Sequence, residues 1–134
     1  MNSSITICPL SSGSSGNCIL VRTQSSTVVV DCGLTGKAFE KELSCFGISP
    51  GDLDAIIVTH EHIDHIKGVG IISRRFNLPI YATLGTWKGM IDYIGKIDEK
   101  LIRYISPEVP FLIKDTPIFP FGTSHDALES IGLV

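Results

Sequence analysis

The chain has 134 residues, 43% of them hydrophobic, which allows one domain at most and enough apolar material for a real core. Its formal net charge of −3 excludes a global basic field of the kind that advertises nucleic acid, so any such role needs a local patch. No apolar stretch approaches the ~20 residues that span a bilayer. Met1-Asn2-Ser3-Ser4 lacks the positive region and apolar core of a signal peptide, so the expected compartment is the cytoplasm, with no membrane partner.

Ile5 to Leu10 reads as a first strand, and Pro9, which cannot donate to a ladder, places it at an edge or a strand end. Ser11 to Asn17 is a turn-rich loop, but no Lys-Ser/Thr follows its second glycine, so it is not a phosphate-binding P-loop. Either it is a tight connection, or Gly13 and Gly16 let backbone pass close to a metal or substrate. Cys18 to Val21 and Thr27 to Val30 are the next strands, joined as a hairpin through Gln24-Ser25-Ser26. Asp31 ends the third strand. The four cysteines, Cys8, Cys18, Cys32 and Cys45, form no Cys-x-x-Cys pair, which argues against a structural zinc cage and for reduced thiols in the core.

Thr35 to Phe46 reads as a helix with Thr35 as N-cap, an apolar stripe of Ala38, Phe39, Leu43 and Phe46, and Gly47 just past its end. The apolar run Ala55 to Val58 reads as a buried strand. It delivers Thr59-His60-Glu61-His62-Ile63-Asp64-His65, which holds three of the chain's four histidines. Imidazole and carboxylate are ordinary ligands of a catalytic divalent metal. Extended backbone alternates faces, so His60 and His62 project to one side, roughly 6–7 Å apart at the backbone. Asp64 continues that side, and Asp64 with His65 could hold a second ion beside the first. Two ions ~3.5–4 Å apart are a recurring hydrolytic device. The zincin motif His-Glu-x-x-His is absent, because Asp64 stands four residues after His60. Glu61 faces the other way and reads as solvated or as support for the ligands.

A second helix is expected from Asp64 or His65 to about Phe76, its N-terminal dipole favouring anions at the site. Pro79 to Thr83 is a strand, and Thr83 or Leu84 begins a third helix through Trp87, Met90 and Ile91, stopped by Gly95, with Trp87 as packing. Short strands follow at 101–104, 111–113 and 117–119, broken by Pro107, Pro110 and Pro120. Lys67, Arg74, Arg75 and Lys88 are candidates for a local basic patch, though each alone reads better as a solvated helix face.

His60-x-His62-x-Asp64-His65 after a strand resembles the signature of the metallo-β-lactamase superfamily. Ser12 to Asn17, Val30-Asp31-Cys32-Gly33-Leu34, Lys67-Gly68, Leu78 to Ala82 and Thr123-Ser124-His125-Asp126-Ala127 sharpen the match toward its YycJ/WalJ-like branch, bacterial hydrolases related to nucleases. The resemblance runs along nearly the whole chain, which corresponds to about half of a typical member. It implies an α/β (in some schemes α+β) architecture: the amino-terminal half of an αββα sandwich, with a mixed, mainly antiparallel sheet and helices on one face. Residues 1–134 would form one metallo-β-lactamase-like domain, incomplete at the carboxyl end. The resemblance also makes Asp31 an organiser of the metal loop and not a ligand. A catalytic zinc takes three protein ligands and keeps one position open. His60 and His62 supply two, and the resemblance places the third at His125.

The implied function is metal-dependent hydrolysis by hydroxide, which a bound ion makes available near neutral pH. His60, His62 and His125 hold the first ion; Asp64 and His65 hold part of the second, with Asp64 also catalytic. Zinc suits the imidazoles, two ions per complete site, and manganese is the alternative at the oxygen-richer position. The expected substrate is a phosphodiester of DNA or RNA. The alternatives are a thioester, lactone or small-ester hydrolase, or an inactive metal-binding fragment. The bridging aspartate and final histidine of the family have no match here, since Asp126 is too close to His125 and no histidine follows it. The 134-residue chain alone is therefore expected to have little or no activity, and to self-associate or to need a missing carboxyl-terminal half.

Overall fold

Residues 5–11, 16–122 and 131–133 are described by the structure, a computed structural model. Strands β1 (Thr6–Ser11), β2 (Cys18–Arg22) and β3 (Thr27–Val30) form an antiparallel meander. Helix α1 (Gly36–Cys45) then carries the chain to β4 (Ala55–Ile57), which pairs parallel to β3. Helices α2 (Ile63–Ile66) and α3 (Val69–Phe76) lead to β5 (Ile80–Thr83), and α4 (Leu84–Ile94) leads to β6 (Ile102–Ile105). Both further pairings are parallel, as expected where each crossover carries helix. The spatial order β1-β2-β3-β4-β5-β6 follows the sequence. Two antiparallel hairpins complete the described chain: β7 (Phe111–Ile113) with β8 (Thr116–Ile118), and β9 (Pro120–Gly122) with β10 (Ile131–Leu133). The sheet is mixed and the helices share one face, as the resemblance implies, but it is not mainly antiparallel: only β1-β2 and β2-β3 pair that way, because the helical crossovers after β3 make the β3-β4, β4-β5 and β5-β6 pairings parallel.

The period-2 alternation of the strands divides the core in two. Leu20, Val29, Ile56 and Ile80 face the helices and pack with Phe39 and Leu43 of α1, Ile72 of α3 and Met90 of α4. Val28, Ala55 and Ile57 face the other way, against Ile113 and Ile118 of the β7–β8 hairpin. Tyr81 stacks on Phe111 there, with centroids 5.2 Å apart. Beyond the hairpin this second face continues as an apolar groove lined by Ile7, Ile19, Val21 and Val30. Strand β4 is buried on both faces, which is why Ala55 to Val58 reads as an unbroken apolar run.

The predicted Thr35 cap holds, its side chain accepting from the Ala38 amide, and the structure adds a second cap at Thr83, which accepts from the Thr86 amide. Gly47 and Gly95 take positive φ of 70° and 84° past the ends of α1 and α4. The second predicted helix, however, is two helices. Gly68 interrupts it: its amide donates to Cys32 O at 2.8 Å, and a Cβ there would lie 2.1 Å from Leu34 O. The chain must press against the β3–α1 loop at this point, so the ladder breaks. The piece that opens at the histidines is a single turn, too short for the expected dipole effect on anions. Among the described residues no helix is long and apolar enough to cross a membrane.

Ile56 is fully buried between β3, β5 and the helices. Truncation to alanine leaves a cavity that close-packed neighbours fill only in part, so Ile56→Ala should cost about 2–5 kcal/mol. Urea unfolding followed by circular dichroism checks this, and an unchanged midpoint would refute the packing described.

Candidate metal centre

The parallel register pairs Val30 with Ile57, and the Asp31 amide donates to Ile57 O at 2.7 Å. The ends of β3 and β4 therefore lie side by side, with Asp31 next to the start of the histidine segment. Asp31 leaves the strand with φ of +60°, a left-handed conformation that aspartate tolerates better than most residues. This turn aims its carboxylate at Thr59 and His65. Oδ1 accepts from the Thr59 amide at 2.7 Å and Oδ2 from the Thr59 hydroxyl at 2.6 Å, while His65 Nδ1 lies 2.7 Å from Oδ2.

Proton bookkeeping then fixes two imidazoles. An ionised carboxylate only accepts, so His65 Nδ1 carries the hydrogen of its contact and the lone pair of the neutral ring is on Nε2. Thr59 has one hydroxyl hydrogen, which goes to Asp31. Its 3.0 Å contact with His60 Nδ1 must therefore be donated by the imidazole, which leaves His60 Nε2 with its lone pair as well. One aspartate thus sets both rings in the tautomer a metal ligand needs.

Asn17 holds the other side. Its amide donates to Asp64 O at 2.6 Å, and Nδ2 lies 3.0 Å from Asp64 Oδ2 and 3.2 Å from His65 Nε2. The Cys32 amide donates to His65 O and the Gly33 amide to Asn17 O. A Cβ at Gly33 would lie 1.8 Å from Asp64 O, so the close approach of these segments requires glycine.

The predicted residues 60, 62, 64 and 65 come together. The His60 ring centroid is 4.8 Å from that of His62, edge to face, and 3.8 Å from that of His65. Asp64 Oδ2 is 3.8 Å from His65 Nε2. His60 is buried, and His62, Asp64 and His65 are partly open. Among the described residues no group of three or more His, Cys, Asp or Glu forms a ready-made ion cage. What fits a metal is the donor set itself, three imidazoles and a carboxylate with their supporting contacts in place. His125, the expected third ligand, and Asp126 lie outside the described residues, as do Ser12 to Ser15.

Burial acts to lower the His65 pKa, but the hydrogen bond to Asp31 and the charges of Asp31 and Asp64 together outweigh it and leave it raised. The stabilisation from this contact is fully present below the ordinary imidazole pKa and is lost as pH rises through the raised one. A metal displaces that proton, so affinity should rise with pH over the same range.

Sequence reasoning assigned no role to Asn17 or Thr59. Neither side chain signals one by type; both act through contacts that only the fold creates. Glu61 is half-buried: its Oε1 is shielded from solvent and its side chain packs on α4. Arg74 caps α4 by donating to Ile94 O at 2.8 Å, and Arg75 pairs with Glu40, so these two basic candidates have structural work. Trp87 is buried and donates to Arg103 O at 3.0 Å.

Residues 12–132 match the family described as the metallo-beta-lactamase superfamily. Over 122 residues the chain is 43% identical to exodeoxyribonuclease YycJ of Bacillus anthracis, covering 90% of this chain and 46% of that protein. It is 40% identical over 121 residues to exodeoxyribonuclease WalJ of Streptococcus pneumoniae, covering 89% and 45%. The chain thus spans about half the length of the relatives it matches. A solved class B3 di-zinc metallo-beta-lactamase, LRA-12, from an Alaskan soil metagenome, superposes with a TM-score of 0.74 at 18% identity, covering 89% of this chain and 52% of that one. At that identity the likeness concerns the fold.

Replacing Asp31 by asparagine removes one of the two charges that raise His65 and leaves burial opposed by Asp64 alone. In the metal-free Asp31→Asn variant the NMR-monitored titration of His65 should move down from its wild-type position. Zinc affinity should fall about 10–100-fold through loss of the fixed tautomers. An unmoved His65 titration would refute the assigned contact.

Proposed function

The chain belongs to the metallo-beta-lactamase superfamily, and on that premise we propose that it is the metal-holding part of a hydrolase that cleaves phosphodiester bonds in nucleic acid. One observation carries the metal reading: the Asp31 carboxylate, through Thr59 and His65, leaves Nε2 of both His60 and His65 with a lone pair in one small cluster. The nucleic-acid substrate is supported by the YycJ and WalJ exodeoxyribonucleases, which are 43% and 40% identical.

In this reading His60 and His62, joined by His125, hold one zinc ion, and Asp64 with His65 contribute to a second position that zinc or manganese occupies. Zinc so held supplies Lewis acidity at neutral pH. The chain's own residues do the rest. Asp31 keeps the imidazoles in the binding tautomer. Asn17 pins Asp64 by backbone and side chain. Asp64, partly open, is placed to orient an attacking water through its carboxylate. Because the chain spans about half the length of these relatives, we place the other ligands and the substrate surface outside the 134 residues, which alone have little activity. The working compartment is the cytoplasm.

The complete protein, loaded with zinc or manganese, should degrade end-labelled DNA or RNA. Asp64→Asn should lower the rate by about 10²–10⁴-fold, the range lost with a positioned acid–base group. A complete, metal-loaded protein that leaves both nucleic acids intact while turning over a thioester would move the assignment to the superfamily's small-ester chemistry.

A further inference from the structure

Glu61 stands between His60 and His62, so the alternation that gathers the two imidazoles turns its side chain the other way, onto α4. It meets the helix at Gly89. A Cβ built on Gly89 would lie 2.6 Å from Glu61 Cγ, 2.9 Å from Cδ and 2.9 Å from Oε2. No real side chain fits there while Glu61 stays in place. Gly89 is interior to α4 and exposed. Glycine at such a position is a standing cost to the helix, and alanine ordinarily improves it. The missing Cβ at Gly89 leaves a space, and the side chain that fills it comes from the histidine segment. The carboxyl oxygen Oε1 is shielded from solvent in that position, so the contact is packed and not a passing surface encounter.

We infer that Glu61 is a positioning residue for the metal centre: its side chain, seated in the notch that Gly89 leaves in α4, fixes the backbone between His60 and His62 and so sets the spacing of their rings. This rests on the reading of residues 60 and 62 as ligands. Asp31 fixes His60 and His65 from the β3 side, and the Glu61–Gly89 contact fixes the same loop from the helix side. It acts by holding the extended backbone that puts the two rings edge to face, 4.8 Å apart.

The signs make this testable. At an exposed helix position with no other role, Gly89→Ala raises thermal stability and leaves zinc binding alone. With the notch occupied, the added methyl group pushes Glu61 and the loop outward. Zinc affinity, measured by chelator competition, should fall about 10-fold or more in Gly89→Ala, the scale of losses seen when ligand support is removed. Glu61→Ala should show a loss of similar size. In the double variant nothing remains to be pushed, so affinity should match Glu61→Ala alone, while the melting temperature rises above that single variant. The visible spectrum of the cobalt(II)-loaded protein should change in Gly89→Ala and, in the double variant, match that of Glu61→Ala. Wild-type affinity in Gly89→Ala, or losses that multiply in the double variant, would overturn the inference while leaving the ligand reading intact. A wild-type protein that takes up no zinc would overturn the ligand reading and the inference with it.

Discussion

The buried carboxylate of Asp31 is the constraint on which the site depends. A charged group at 5% exposure is tolerated only when its lone pairs are used, and here two donors of Thr59 and one of His65 use them. Those three hydrogen bonds join the end of β3 to the loop after β4 and to α2. They also carry chemical information across the loop, because the hydroxyl of Thr59 can donate only once. Stability and ligand chemistry thus share the same atoms. Removing one partner would leave a buried acceptor unpaired and release a ring at the same time.

The fold supplies the setting for this contact through strand direction. Asp31 and Thr59 sit side by side because β3 and β4 are parallel and in register, which the intervening α1 makes feasible. Glycines then permit the approach of segments that a Cβ would separate. Gly33 lies under Asp64 and Gly68 against the β3–α1 loop. Cys32 links the two, its amide donating to His65 O and its carbonyl accepting from Gly68. The result is a short loop tied by backbone hydrogen bonds, with its polar groups converging on one side.

Much of this was legible in the sequence, for identifiable reasons. The alternation of apolar residues, the Thr35 cap and the Gly47 and Gly95 stops are local signals, and each appears where the pattern places it. The convergence of His60 and His62 follows from the geometry of extended chain alone. What could not be read depends on segments distant in sequence. The break at Gly68 comes from the press of the β3–α1 loop, invisible in a helical pattern that continues through it. Asn17 and Thr59 have ordinary side chains whose partners lie 47 and 28 residues away. The left-handed turn at Asp31 is a demand of tertiary structure, and the seat of Glu61 on Gly89 joins two elements that sequence alone treats as unrelated.

The central claim is that the imidazoles of His60, His62 and His65 are metal ligands, those of His60 and His65 made ready by Asp31. Anomalous diffraction at the zinc edge, on crystals of the complete protein grown with zinc, tests it most directly. The account predicts an ion ~2.1 Å from an imidazole nitrogen of both His60 and His62, with His65 Nε2 and Asp64 turned toward a neighbouring ion and His65 Nδ1 still on Asp31. Zinc bound elsewhere, or His65 coordinating through Nδ1 with its Asp31 contact broken, would contradict it.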